Sequence, residues 1–396
     1  MGSIHISNIK ISSVVPATMT SENKAHELTN MDLVMKLHYI HGVYFFSSEA
    51  VQGLTIYDLK EPMFLCLDLY LTTSGRVRRS ETSRPFIKCN DSGVRIVEAK
   101  CDKTIEEFLA MKDHPFHDNL AYNQALGPDL SISPLVFIQE MIIEHIVFVN
   151  MSCVDNFLDL GKILTTIFMW LAISSLGSNV EECVWDSGAH VLGDAFSASA
   201  FVNMFGQIAS GHKLPKYLHV PNPGKSKFPP STRKEANSIK SVDRLGDCWL
   251  IPSNSKMDTE YEYPTNGMVL SMVEADLSGV KADLSQVVEL LAEKRVNENN
   301  VIEEMMEKEN GEADYIVYGA NLTLLNLEEA KIYDLELKGH RPIFANYAIN
   351  GVGDEGVVLV LPGAGGTGNG LTVTMVLPEN ELALLKSKFE RDWNIV

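Results

Sequence analysis

Positive charge is scarce in this chain. Of its 396 residues, 33 are Lys or Arg against 52 Asp or Glu, a formal net charge of −19. A field of that sign repels phosphate backbones and anionic lipid, which argues against nucleic acid as the main partner. The six cysteines (Cys66, Cys89, Cys101, Cys153, Cys183 and Cys248) form no CxxC pair and no regular spacing. Neither a disulfide framework nor a structural zinc site is expected, and a reducing compartment fits. The start, MGSIHISNIKISSVVPA, lacks a basic region followed by an apolar one, so no signal peptide is read there. Gly2 is not followed by Ser or Thr at the sixth position, where Ile6 stands, and myristoylation is set aside. No GxSxG elbow, phosphate-binding loop or metalloprotease helix is present.

Long apolar runs are also rare. One stretch, Ile163 to Val180, carries no charge and approaches the length of a membrane span. Its apolar part stops at Leu176, and Gly177, Ser178 and Asn179 face lipid poorly, so a buried or misplaced segment is expected instead of a span. No internal repeat is found. Three glycosylation sequons, at Asn90, Asn150 and Asn321, carry no meaning without a secretory signal. The 16 methionines are scattered and read as core filling.

Hydrophobic residues make up 45% of the chain, enough for a sizeable core. Asp32 to Tyr39 reads as a helix with Thr29 or Asn30 as N-cap, followed by a buried strand at Val43 to Phe46. Val94 to Ala99 reads as a strand and Thr104 to Met111 as a helix. Residues Asn222 to Asn237 hold three prolines and no large aliphatic residue, so the boundary between two domains is placed there. The expected division is 1–221, a linker at 222–240, and a shorter second domain at 241–396. Within that second domain, Leu284, Val287, Val288 and Leu291 follow the spacing of one helical face. The charged run ENNVIEEMMEKENGE reads as a solvated helix, and the chain then turns strand-like.

Two strings bear on chemistry. HVLGD places His190 and Asp194 four residues apart. Histidine can take a proton near neutral pH, and a carboxylate nearby can orient the imidazole or hold the loop through a basic partner. By itself the string is a weak signal, and its plain reading is a turn histidine beside a helix N-cap aspartate. No third ligand is spaced for a metal. The second string, Gly363 to Gly368, satisfies GxGxxG, but a strand follows it where a dinucleotide site needs a helix. It reads as a hairpin loop.

Taken together, ISSVVPA, LTNMDLVMKLHYIHGVYFF, SGRVRR (Ser74 to Arg79) and HVLGDAFSAS resemble the BAHD acyl-CoA-dependent acyltransferases of plants. FIKCNDSGVRIVEA, LGPDLSISPLVFIQ, YGANLTLLNLEE and NYAINGVGDEGVVLVLP resemble its Eceriferum-two-like (Glossy-type) branch. The likeness runs from about Ile11 to Val376, with interruptions. It implies a two-domain α/β fold of the chloramphenicol-acetyltransferase type, each half a mixed sheet flanked by helices, with a channel between the halves. It also implies that His190 is the general base acting on an acceptor hydroxyl or amine. Asp194 would hold the loop, and acyl-CoA would be a substrate in place of a permanent cofactor. Which residues would bind coenzyme A is left open, and the metal assignment is none.

The chain departs from the family pattern in three places. Catalytic members carry DFGWG, whereas the matching positions here read Glu336-Leu337-Lys338-Gly339-His340. That loss is shared by the Eceriferum-like branch, which is thought to assist the fatty-acid elongase on the endoplasmic reticulum by partnering its condensing enzyme. Glu140 to about Cys183 intervenes before the HxxxD loop. After Met257, and before Leu71, helical segments of the family are shortened. The resemblance therefore implies an accessory factor of very-long-chain fatty acid elongation in cuticular wax synthesis. Such a factor would sit peripherally on the cytoplasmic face of the endoplasmic reticulum, or in the cytosol. The competing expectation is a catalytic O- or N-acyltransferase using His190, and a degraded gene product with neither activity is the third. The stretch 140–183 is expected to be read-through from a mispredicted exon boundary. Sequencing the transcript between the codons for Gln139 and Val184 checks this, and a spliced message encoding every residue contradicts it.

Overall fold

The computed structural model describes residues 6–80, 83–101, 133–143, 182–213, 215–218, 248–250, 253–254, 264–269, 271–274, 296–297, 299–311, 317–318, 322–351, 356–366 and 370–393. The expected helices at 104–111 and 284–291, the linker at 222–240 and the uncharged run 163–180 lie outside these residues.

Among the described residues, two six-stranded mixed sheets organise the fold. The first has the order β1 (Ile6–Val14), β6 (Val94–Cys101), β7 (Val136–Ile143), β8 (Glu182–Ala189), β3 (His38–Phe46) and β15 (Phe344–Gly351). Only β6 and β7 run parallel in it. The second has the order β13 (Val296–Asn297), β12 (Ser271–Glu274), β9 (Cys248–Leu250), β14 (Leu322–Asn326), β16 (Val357–Pro362) and β17 (Leu371–Met375). There β14 is parallel to both its neighbours. A three-stranded sheet has the order β2 (Ala25–Glu27), β5 (Ser83–Lys88) and β4 (Arg76–Ser80), and β10 (Ser253–Asn254) pairs with β11 (Met268–Val269).

Strand β3 is buried along its whole length. The sequence HYIHGVYFF explains this, since aromatic and β-branched side chains fill both faces of a central strand. Its partner β15 comes from the last part of the chain and pairs antiparallel from Phe344↔Phe45 to Gly351↔His38. The hydroxyls of Tyr44 and Tyr347 meet at 2.6 Å inside this pairing. The second half of the sequence thus supplies a strand to the first sheet.

Among the described residues, helices α1 (Asn30–Val34), α2 (Ser48–Val51), α3 (Ile56–Leu69), α4 (Ala195–Ala209), α5 (Asn299–Lys308) and α6 (Glu379–Trp393) accompany the sheets. Thr29 caps α1 in a capping box with Asp32. The helix expected over 32–39 is shorter than the sequence suggests. It gives way to a 3-10 turn at Met35–Leu37, and the strand begins at His38, five residues before the expected Val43. Pairing with β8 and β15 on both edges satisfies the backbone of His38 to Gly42 as strand, which outweighs local helical periodicity. In α5 the charged run is helical as expected, with Glu303, Glu304 and Glu307 exposed and Met306 fully buried. The glycine string at 363–366 follows β16 and leads back to β17, so the two strands form an antiparallel hairpin. Among the described residues no helix is long and apolar enough to cross a membrane.

Helix α4 lies against α3, where Tyr70 meets Phe201 edge to face at 5.0 Å. On another side it touches the segment Leu335–Glu336 so closely that a Cβ on Gly206 would fall 2.8 Å from both the backbone N and O of Glu336. Gly206→Ala is therefore expected to lower stability by about 1–3 kcal/mol, although Ala is the better helix former. The urea midpoint checks this, and an unchanged or raised midpoint contradicts it.

Candidate functional site

Strand β8 ends at Ala189, and the chain makes a 3-10 turn over His190–Leu192 before Asp194 opens α4. Gly193 sits where a Cβ would lie 2.6 Å from Cβ of Ser197, so the turn can be this tight only without a side chain. Asp194 is the N-cap of α4, as the plain reading of the string expects. Its Oδ1 accepts from the Ser197 N–H at 3.0 Å, and its Oδ2 accepts from the Gly267 N–H at 3.3 Å. These partners are backbone amides, where the sequence suggested a basic side chain. The carboxylate is buried, and burial raises its pKa to about 6 even though the amides oppose the shift.

Through these bonds the turn is tied to residues 264–267. The Asp194 N–H donates to the Thr265 carbonyl at 3.2 Å, and the Ser197 hydroxyl donates to the same carbonyl at 3.0 Å. Asn266 completes the clamp. Its amide donates to the His190 carbonyl and to Asp32 Oδ1, both at 2.8 Å. Asp32 is the residue of the α1 capping box, so three distant segments of sequence converge on one turn.

His190 is 1% exposed. Its Nε2 lies 2.7 Å from the Tyr318 hydroxyl, and the two rings stack with centroids 5.7 Å apart. Burial depresses its pKa to about 4, against smaller opposing effects from the His190 and Gly193 carbonyls and from Asn266. The ring is therefore neutral at pH 7. Tyr318 is buried too, and loss of solvent pushes its phenol well above the ordinary value, with the Asp194 charge adding to the shift. With the phenol as donor in this bond, the lone pair of the neutral imidazole lies on Nε2 and its proton on Nδ1.

A second histidine stands behind Tyr318. His38, at the start of β3, accepts the Val317 N–H on its Nε2 at 3.2 Å and meets the Tyr318 ring edge to face at 4.8 Å. Burial, with the His190 charge as a lesser cause, lowers its pKa to about 3. Both predicted site residues thus sit in one turn, but the groups that complete the site do not appear in the HxxxD string. Tyr318 lies in YGANLTLLNLEE and His38 in the stretch before VYFF, both quoted for the family likeness. Nothing in the local spacing of Asn266 marks it.

The stretch Glu336–His340 turns back on itself, with Leu337 and His340 exchanging N–H···O bonds of 2.9 Å and with Lys338 and Gly339 at positive φ. Leu335 and Leu337 are buried. It holds no aromatic residue, so the position of DFGWG in catalytic relatives is filled here by aliphatic packing against α4. Among the described residues no cluster of His, Cys, Asp or Glu could hold a metal ion. The described cysteines Cys66 and Cys89 are buried and free.

The family model described as Transferase family matches residues 4–174. Over 97% of both chains, the protein is 33% identical to the Arabidopsis thaliana protein ECERIFERUM 2. It is 31% identical to the ECERIFERUM 26-like protein of the same plant, over 98% of this chain and 96% of that one. The chain belongs to the BAHD acyltransferase family, in its Eceriferum-like branch. Among solved structures, vinorine synthase superposes with a TM-score of 0.64 at 13% identity over 96% of each chain. The TRI101 protein of F. graminearum, complexed with coenzyme A and T-2 mycotoxin, gives 0.60 at 10% identity over 94% of this chain and 98% of that one. The two-sheet architecture described above is the fold these proteins share.

The buried histidines make an acid-labile site. His190, His38 and His41 all have folded pKa values below the ordinary 6.5, at about 4, 3 and 4. Each binds fewer protons folded than unfolded, so stability falls as pH drops from about 6.5 through 4. Asp194 acts the other way: raised from 3.8 to about 6, it favours folding at low pH and loses that contribution as pH rises through 6. Three groups outweigh one. The urea midpoint is expected to drop from pH 7 to pH 5, and to drop less steeply in His190→Gln; a flat profile contradicts the assignment.

Proposed function

We propose that the chain is an accessory factor of very-long-chain fatty acid elongation in cuticular wax synthesis. It works beside the condensing enzyme of the elongase, held peripherally at the cytoplasmic face of the endoplasmic reticulum. The observation that carries this reading is the occupied base: Nε2 of His190 is bonded to Tyr318 instead of being open to an acceptor. A general base works best with a pKa near the working pH, and a buried imidazole lowered to about 4 is far from it. The aliphatic segment Glu336–His340, in place of the aromatic family motif, and the full-length likeness to Eceriferum proteins support the same reading.

The intact turn favours a second reading. His190 and Asp194 stand together in one hydrogen-bonded turn, and acyl-CoA would be the natural donor for such a site. In that case His190 would take the proton of an alcohol or amine as its oxygen or nitrogen attacks the thioester carbonyl, and the coenzyme A thiolate would leave and be protonated.

The two readings separate in a heterologous cell carrying a very-long-chain condensing enzyme. Acyl chain-length profiles are recorded with no added protein, with this protein and with its His190→Ala form. Equal lengthening by both forms is expected. Dependence of lengthening on His190 overturns the accessory reading. So does a new ester or amide, which catalysis would make 10²–10⁴-fold faster with His190 than without it.

A further inference from the structure

We propose that Tyr318 is a positioning residue that latches His190, keeping an assembled HxxxD site out of use. This rests on the reading of His190 as a silent base and says what silences it. The phenol oxygen lies 2.7 Å from Nε2, the distance at which an acceptor hydroxyl or a water would have to sit to be deprotonated. It therefore occupies the place of the nucleophile.

The latch is itself held. Tyr318 follows Val317, whose N–H is taken by His38 Nε2, and the His38 ring abuts the Tyr318 ring. Tyr318 is fully buried, so its hydroxyl has no water to turn to. Swinging it away would leave the buried imidazole nitrogen short of a partner, a cost of about 1–3 kcal/mol. The turn around His190 is fixed independently by Asn266 and Asp194. Removing the Tyr318 hydroxyl therefore frees Nε2 without dismantling the turn that carries it.

In Tyr318→Phe, a water in the vacated place would give a proton to His190 Nε2 as its oxygen attacks the thioester carbonyl of an acyl-CoA. The tetrahedral intermediate would expel the coenzyme A thiolate, which takes the proton back from His190. The products are a free fatty acid and coenzyme A, and no other reactant is needed.

The full chain is purified as wild type, Tyr318→Phe and Tyr318→Phe/His190→Ala. Long-chain acyl-CoA hydrolysis is followed by thiol release, and the histidine ring nitrogens by ¹⁵N NMR. In Tyr318→Phe the His190 Nε2 signal should move downfield as the phenol donor is replaced by water, a weaker one, and hydrolysis should rise at least about tenfold. Hydrolysis should return to background in the double variant. An unmoved Nε2 signal, or a shift without a rise in hydrolysis, overturns the latch. Site-specific replacement of Tyr318 by 3,5-difluorotyrosine leaves no cavity and makes the phenol a stronger donor, so it serves if Tyr318→Phe does not fold. It should move the Nε2 signal upfield, and an unmoved signal again overturns the proposal. These measurements use the purified chain without any elongase. A failed latch with intact lengthening in cells, or the reverse, therefore shows which of the two readings is wrong.

Discussion

The pairing of β15 with β3 is the interaction on which the remainder depends. β3 carries His38 at one end and runs through the middle of the first sheet, with β8 on its other edge leading straight into His190. Both histidines therefore owe their positions to one central strand. β15 covers the open edge of that strand along eight residue pairs, and the Tyr44–Tyr347 hydroxyl contact lies within it. Along a strand buried over its whole length, an uncovered edge would leave a row of backbone groups without partners, each costing as much as a lost hydrogen bond.

The same arrangement makes the site hydrophobic in its electrostatics. His190, His38 and Tyr318 are all pushed toward their neutral forms, and in each case the first cause is loss of solvent. Two hydrogen bonds link this neutral cluster, from Tyr318 to His190 and from the Val317 N–H to His38. A charge introduced anywhere in this cluster would have no water to meet, which is why the chemistry of the site is a matter of which hydroxyl faces one nitrogen.

Some of this was legible in the residues. The alternation of aromatic and β-branched side chains in VYFF, VRIVEA and GVVLVLP marked strands that are present, and Thr29 marked a helix start. HVLGD marked the turn, because Gly193 and the capping Asp194 act within four residues of each other. What could not be read locally was the completion of the site. Asn266 reaches the His190 carbonyl across 76 positions and Tyr318 reaches the imidazole across 128. No periodicity encodes such distances; only the resemblance to a family drew attention to the stretches that hold Tyr318 and His38. The helix at Asp32 was overestimated for a related reason: its last residues are claimed by strands made elsewhere in the chain.

Order of synthesis gives the β15 pairing a further consequence. Tyr44 and Tyr347 are 303 positions apart, and at roughly 5–20 residues per second the ribosome needs about 15–60 s to make the chain between them. For that interval β3, buried along its whole length in the finished fold, has no permanent neighbour on one edge. The nascent chain must be shielded there by chaperones or by temporary contacts of its own. Translation speed through the intervening segment thus becomes a determinant of how much of this protein reaches its native state.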